Sequence, residues 1–447
     1  MKRSLVVVLF LFFTFISYGQ TKAAAAAAKG GTGGAVKGGV GMTWIGDEAY
    51  YLVSLAPEIA FGKFGVGLDL NFYVSSKDQS IRWQEMQHAR FIRYLRYGNK
   101  HDEFYIRVGM LDYARLGHGF ILYNYKNSPS VDNRRIGTEL DVDFGKWGLE
   151  SVYGDVTASG VLGARGYVRP LQFTPAGSVP IIGNLEIGAT IASDLRKDSK
   201  DTKIDTVGGV TKKVNAGSMT AVGLDLGLPL MRSSVFNATY YLDYAKIMNY
   251  GHGFATGIEM DASAFGLVNL TAKLERRFGQ TAQFTPAYFD AFYELERYQI
   301  SQNALKKDTL ASKAKALESQ TTTSSGYFGS LLIDVLGTIQ VEGSYKKIDN
   351  DPNSGTLHLG TNTGDKIPLV TVSAGYDKLN ITNGKDVFTL DERSLLYAEV
   401  GYKPYPFMIV SMLYTWTFAP DFNKDGNVTG YKPQKRITPK VGFVFPL

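Results

Sequence analysis

Two short stretches of the chain hold the residues best suited to chemistry. DYARLGHGF runs from Asp112 to Phe120, and DYAKIMNYGHGF runs from Asp243 to Phe254. Each sets an aspartate upstream of a glycine-flanked histidine, and His118 and His252 are two of only five histidines. An imidazole near a carboxylate is the raw material of an acid–base pair or a metal site. Neither histidine has a second one at the H-x-x-x-H spacing that puts two ligands on one helix face. No serine stands close enough in sequence to complete a Ser-His-Asp set. The flanking glycines point instead to tight turns with φ > 0. Loop closure is therefore the leading reading of both histidines. Contact with a ligand at the mouth of a pore is the second, and metal binding or catalysis the last.

A third stretch, DFNKDGNVTG, places Asp421, Asn423 and Asp425 before Gly426. Alternating short oxygen ligands ahead of a sharp glycine turn suit Ca²⁺. Lys432 stands where that loop needs a bidentate glutamate, so an ordinary surface turn is the simpler expectation. No other cofactor is indicated, and nothing here reads as an enzyme.

The elements that must carry these residues come from the periodicity. In Phe64–Ser75, Phe64, Val66, Leu68, Leu70, Phe72 and Val74 share one face. Gly65, Gly67, Asp69, Asn71, Tyr73 and Ser75 share the other. Side chains of a strand alternate with period two, so one face is apolar and the other polar or small. The same alternation recurs at 135–144, 220–228, 235–244, 266–275 and 408–418. Strands of about ten residues are longer than soluble sheets need and match a tilted membrane crossing. Lipid tolerates strands only in closed barrels, since nothing there can pair a free edge. Glycine (49), tyrosine (27) and phenylalanine (26) far outnumber proline (15), as a large all-β structure would require. The spacing sorts short connections (62–63, 145–146, 263–265, 336–337, 403–406) from long ones (77–87, 116–134, 196–217, 278–325, 347–366, 419–435).

The address agrees. Lys2 and Arg3 precede an apolar run from Leu5 to Ile16, and Ser17 and Gly19 offer a cleavage site, so residues 1–19 read as a secretory signal peptide. The run is short for a membrane anchor, which needs about 20 apolar residues. Residues 20–39 read as a flexible Ala/Gly-rich linker and residues 40–447 as the barrel. Cysteine is absent, so an exported chain folds without disulfides. The net charge of +6 is dispersed along the chain and argues against nucleic acid as a partner.

The last residues, RITPKVGFVFPL (436–447), resemble the C-terminal assembly signal of Gram-negative outer-membrane β-barrels. Lys440, Gly442, Phe445 and Leu447 take the polar, glycine and alternating hydrophobic places. Leu447 stands where that signal more often has phenylalanine, with Pro446 beside it. The resemblance to porin-like proteins is one of pattern, from about residue 40 to the end. It implies a single transmembrane antiparallel barrel of about 16–18 strands in the outer membrane, with short periplasmic turns and long extracellular loops. It also implies outer-membrane lipid, the barrel assembly machinery and small hydrophilic solutes as partners. The function so implied is passive diffusion. A plugged surface barrel that binds through its loops is the alternative, and a barrel-borne hydrolase the least favoured.

Alternation assigns the candidate pore lining. Asp69, Asn71, Arg107, Glu139, Asp141, Asp143, Asp225, Lys273 and Glu275 fall on inward positions. They either line water or pair into a network that fills the lumen, because an unpaired charge in a dry core is costly. The repeated words extend the argument: Gly-x-Glu-(Leu/Met)-Asp follows both GHGF motifs, at Gly137 and at Gly257. This reads as a duplicated hairpin. Within 278–325, Leu310, Ala314 and Leu317 have helical spacing, and this loop folds either into the lumen or above it.

Overall fold

A computed structural model describes residues 33–446, apart from 46–47, 83–90, 101, 129–133, 197–201, 208–209, 216–217, 234, 265–266, 297, 301–309, 319, 365–366 and 424–427. The expected signal peptide, most of the expected linker, Asp425 and Leu447 lie outside the described residues.

Twenty antiparallel crossings close into one barrel. They begin with β1 (Gly33–Ile45), β2 (Glu48–Phe61) and β3, which is interrupted at Asp69 into Phe64–Leu68 and Leu70–Ser75. β4 is likewise in two pieces, Ile81–Arg82 and Ile92–Tyr97, followed by β5 (Phe104–Gly109) and β6 (Gly137–Asp143). β7 (Trp147–Tyr153), β8 (Val161–Val168), β9 (Glu186–Asp194) and β10 (Met219–Arg232) come next. Then come β11 (Phe236–Ile247), β12 (His252–Ala264), β13 (Val268–Phe278) and β14 (Gly326–Val335). The wall ends with β15 (Ile339–Ile348), β16 (Gly355–Asn362), β17 (Val370–Ile381), β18 (Ser394–Tyr405), β19 (Met408–Phe422) and β20 (Val428–Pro446). β20 pairs with β1 from Ala35↔Pro446 to Val40↔Val441 and closes the ring, which leaves the barrel wall without a free edge.

The all-β barrel class stands, but the count of 16–18 strands was too low. β16 lies inside a stretch read as one loop, because its inward positions include Gly360 and its alternation is short. β1 starts at Gly33, within the stretch read as linker. Glycines there allow close strand approach: a Cβ on Gly38 would come within 3.0 Å of Leu55.

Alternation sets the two faces. On β10, Leu224 is 60% exposed on the outside while neighbouring Asp225 is 7% exposed on the inside. Burying apolar area against lipid and polar groups against the lumen satisfies both. The β8–β9 connection breaks the short-turn rule. It lies at the short-turn rim and folds into three 3₁₀ turns, Pro170–Phe173, Pro175–Ser178 and Ile182–Asn184.

Candidate functional site

The lumen beside β5–β13 is filled by two loops from the long-loop rim. The first, between β5 and β6, descends deeply: Lys100, in the β4–β5 connection at the opposite rim, donates to the Arg115 carbonyl at 3.2 Å. Gly117 N donates to Glu150 of β7 at 2.7 Å. Gly117 (φ +51°) and Gly119 (φ +87°) take the left-handed backbone that makes this reversal possible.

Between those glycines His118 is held on three sides. Its Nδ1 lies 2.9 Å from Asp243 of β11. Its ring stacks on Tyr241, centroids 4.4 Å apart at 15°. Its carbonyl accepts from Lys273 of β13. Burial pushes the imidazole pKa down, but the Asp243 carboxylate pushes it up and prevails, so it is raised above its ordinary value. Tyr241 can lie flat on the wall because Gly257 faces it across the strand pair. The same tyrosine-on-glycine joint seats Tyr94 on Gly67 and Tyr167 on Gly148.

The two GHGF words are not equivalent in space. His252 opens β12 and points outward, with Tyr244 (6.1 Å) and Phe254 (6.4 Å) in an aromatic group on the outer face. The words meet differently: the histidine of the first contacts the aspartate of the second. Asp243 sits within β11, while Asp112 lies in the loop and accepts from Arg107 at 3.1 Å.

The second loop, between β13 and β14, turns inward as well, which resolves the choice left open by its sequence. Its Phe284, Tyr288, Phe289 and Tyr293 join Leu116, Phe120, Ile121 and Leu122 of the first loop in one apolar core. The wall contributes Ala192, Ala221, Ala245 and Ala255 to it. Phe289 N donates to Ile121 O at 3.2 Å, and Tyr123 N donates to Phe289 O at 3.1 Å. The helix is Lys313–Glu318, with Ala314 and Leu317 buried. Leu310 precedes it in a short strand, Leu310–Ser312. Glu294 fastens the loop, accepting from Arg196 (2.9 Å) and Tyr125 (2.7 Å) and forming an ion pair with Arg135. Burial alone would raise the Glu294 pKa; the two guanidiniums outweigh it and hold the carboxyl below its ordinary value.

Beneath the loops the inward charges pair. Arg165 of β8, 2% exposed, donates to Glu150 (2.7 Å), Glu186 (2.7 Å) and Asp225 (2.6 Å). Lys273 lies 3.3 Å from both Glu259 and Glu275, and Lys100 pairs with Glu139 and Asp141. Asp143 binds Arg169 at 2.8 Å, and Asp69 binds Arg134 at 2.7 Å while accepting from Asn71 at 2.9 Å. The candidates thus face inward as alternation assigned, and most are sealed into a network rather than bathed in water.

The wall from β14 to β20 differs. Its inward Glu342, His358, Asp377, Glu399 and Lys440 have side chains 25–39% exposed. His358 Nδ1 lies 2.6 Å from Asp377, and Lys440 donates to Glu399 at 2.9 Å. Sequence reasoning passed over these residues and Arg165; their alternation was legible, their partners were not. In the candidate calcium loop, Asp421 accepts from Lys432 at 2.8 Å and Asn423 is exposed.

No family model matches the chain, and no curated protein matches it. Solved structures similar to it include OccK11 (OpdR) of Pseudomonas aeruginosa, with 10% identity over 93% of this chain and 95% of that one, TM-score 0.30. The ferric enterobactin receptor PfeA of the same organism gives 10% identity, 93% and 72% coverage, and TM-score 0.38. Wzi of Escherichia coli, an outer-membrane protein of capsule assembly described as a carbohydrate-binding β-barrel, gives 11%, 95% and 86%, and 0.37. Values this low assign no function to the chain.

Proposed function

We propose that the protein is a porin-like passive channel for small hydrophilic solutes in the outer membrane of a Gram-negative bacterium, narrowed by its own loops. The observation that carries this is the contrast between the two walls. Buried, mutually paired charges pack against the loops on one side, and half-exposed polar groups face the lumen on the other. Half-exposed charges facing inward need water, and twenty strands give a circumference large enough for plug and water together. Acidic and basic groups are mixed along the β14–β20 wall, so ion selectivity is weak. The apolar outer face meets lipid, and the C-terminal signal engages the assembly machinery. No catalytic role and no cofactor enter this reading.

Reconstitution in planar bilayers tests it. Small stepwise conductances are expected, growing when residues 285–318 are deleted. Folded protein without any conductance would overturn it. The second reading, a closed barrel that binds through its loops, draws on the ion-paired anchoring of Glu294 and His118. It predicts no conductance, together with loss of surface binding on the same deletion.

A further inference from the structure

At the short-turn rim the β8–β9 connection helps to build an open cavity of about 590 Å³, a volume in the range of small-molecule sites. Its lining includes Glu103, Asp143, Arg169, Gln172, Asn184 and Arg232.

Arg169 is committed to the frame. Its Nε and Nη2 donate to Glu186 (3.2 and 2.9 Å), and its Nη1 and Nη2 to Asp143 (both 2.8 Å). Nη1 also donates to Gly145 O at 2.7 Å. Gln172 is likewise engaged, its amide donating to Gly177 O (3.2 Å), Gly183 O (2.8 Å) and Asn184 Oδ1 (3.3 Å). These bonds hold the connection in shape and leave the Asn184 amide as a donor.

Two charges remain. A β-bulge between Pro229 and Met231 shifts the register of β10 so that Arg232 pairs with Asn237, an inward position. Without that extra residue Arg232 would face lipid; bulges commonly re-aim one side chain in this way. Glu103 enters the cavity from the foot of β5. Among the described residues neither Glu103 nor Arg232 has an ion-pair partner within 4.0 Å, and both are exposed.

A cavity whose other lining charges, Asp143 and Arg169, are paired with each other, and which keeps one free carboxylate and one free guanidinium, is complementary to a ligand carrying both opposite charges. We propose that this vestibule binds small zwitterions bearing an ammonium and a carboxylate, of amino-acid to short-peptide size. Glu103 takes the ammonium, and Arg232 takes the carboxylate through its planar fork. Asn184 adds a neutral donor. The proposal does not depend on an open lumen, since the cavity is reached from the rim.

Calorimetric titration of the full chain in detergent micelles with alanyl-alanine, its N-acetyl form and its C-terminal amide tests it. Alanyl-alanine should bind saturably, and each blocked form about tenfold more weakly, the loss of one charge-assisted contact. Glu103→Gln should erase discrimination against the N-acetyl form only, and Arg232→Gln discrimination against the amide only. Arg232→Lys should restore part of the latter. Both positions are exposed, and retained heat-modifiable migration verifies that each variant is folded. Equal binding of the three probes, no saturable binding by the wild type, or loss of both discriminations in either variant overturns the proposal.

Discussion

The β5–β13 wall and the β14–β20 wall follow one sequence rule and reach different ends. Both alternate apolar outward and polar inward. On the first, inward positions are covered by a loop: Gly117 packs against Arg165, which pairs with three carboxylates of the wall, and Ala221 and Ala245 join the apolar core of the plug. On the second, inward positions such as Glu399, which accepts from Ser411 and Lys440 of the same wall, are left partly exposed. Inward polarity therefore does not by itself mean a water-lined pore. What decides is whether another segment of chain covers those positions.

The largest expected break of this comparison is Arg165→Ala. It leaves buried Asp225 without its cation and takes one from Glu150 and Glu186, and should cost about 3–5 kcal/mol, read as a lower urea midpoint. Phe289→Ala comes next. Removing a fully buried ring from the plug core should cost about 3 kcal/mol and expose the first loop to protease before the barrel unfolds.

A pH series sharpens the contrast with smaller effects. The folded pKa of Glu294 is depressed, so its anchoring is present above the ordinary carboxylate value and lost as pH falls through the folded one. That of His118 is raised, so its contribution is present below about pH 6.5 and lost as pH rises through the folded value. Hydrogen exchange of the loops should accelerate at both extremes. Glu294→Gln should remove the acid limb and His118→Gln the alkaline one. The smallest effect belongs to the other wall: Glu399→Ala, which breaks a half-exposed pair, should cost about 1 kcal/mol or less while altering conductance.

Much of the barrel was legible because period-two alternation is local. Facing was read correctly at Arg107, Glu139, Asp225 and Lys273, whose register partners all lie inward. Strand number was harder, since β1 and β16 are built partly from glycine and carry little pattern. The site was least legible because its contacts are distant in sequence. His118 and Asp243 belong to different copies of the repeated words, and nothing local tells a GHGF that opens a strand from one that dives into the lumen. Facing also misleads about tolerance. Gly67 points inward, yet a Cβ there would meet the Tyr94 ring at 2.6 Å, so an inward arginine at 67 would displace Tyr94 from Glu58.

The central claim, one filled wall and one wetted wall, is open to direct measurement because the chain has no cysteine. Single cysteines at Ala221 and Ala245, behind the plug, and at Ser344 and Thr415, on the opposite wall, can be challenged with a charged methanethiosulfonate reagent in the folded protein. The account predicts rapid labelling at 344 and 415 and labelling slower by orders of magnitude at 221 and 245. Equal rates at all four positions would contradict it.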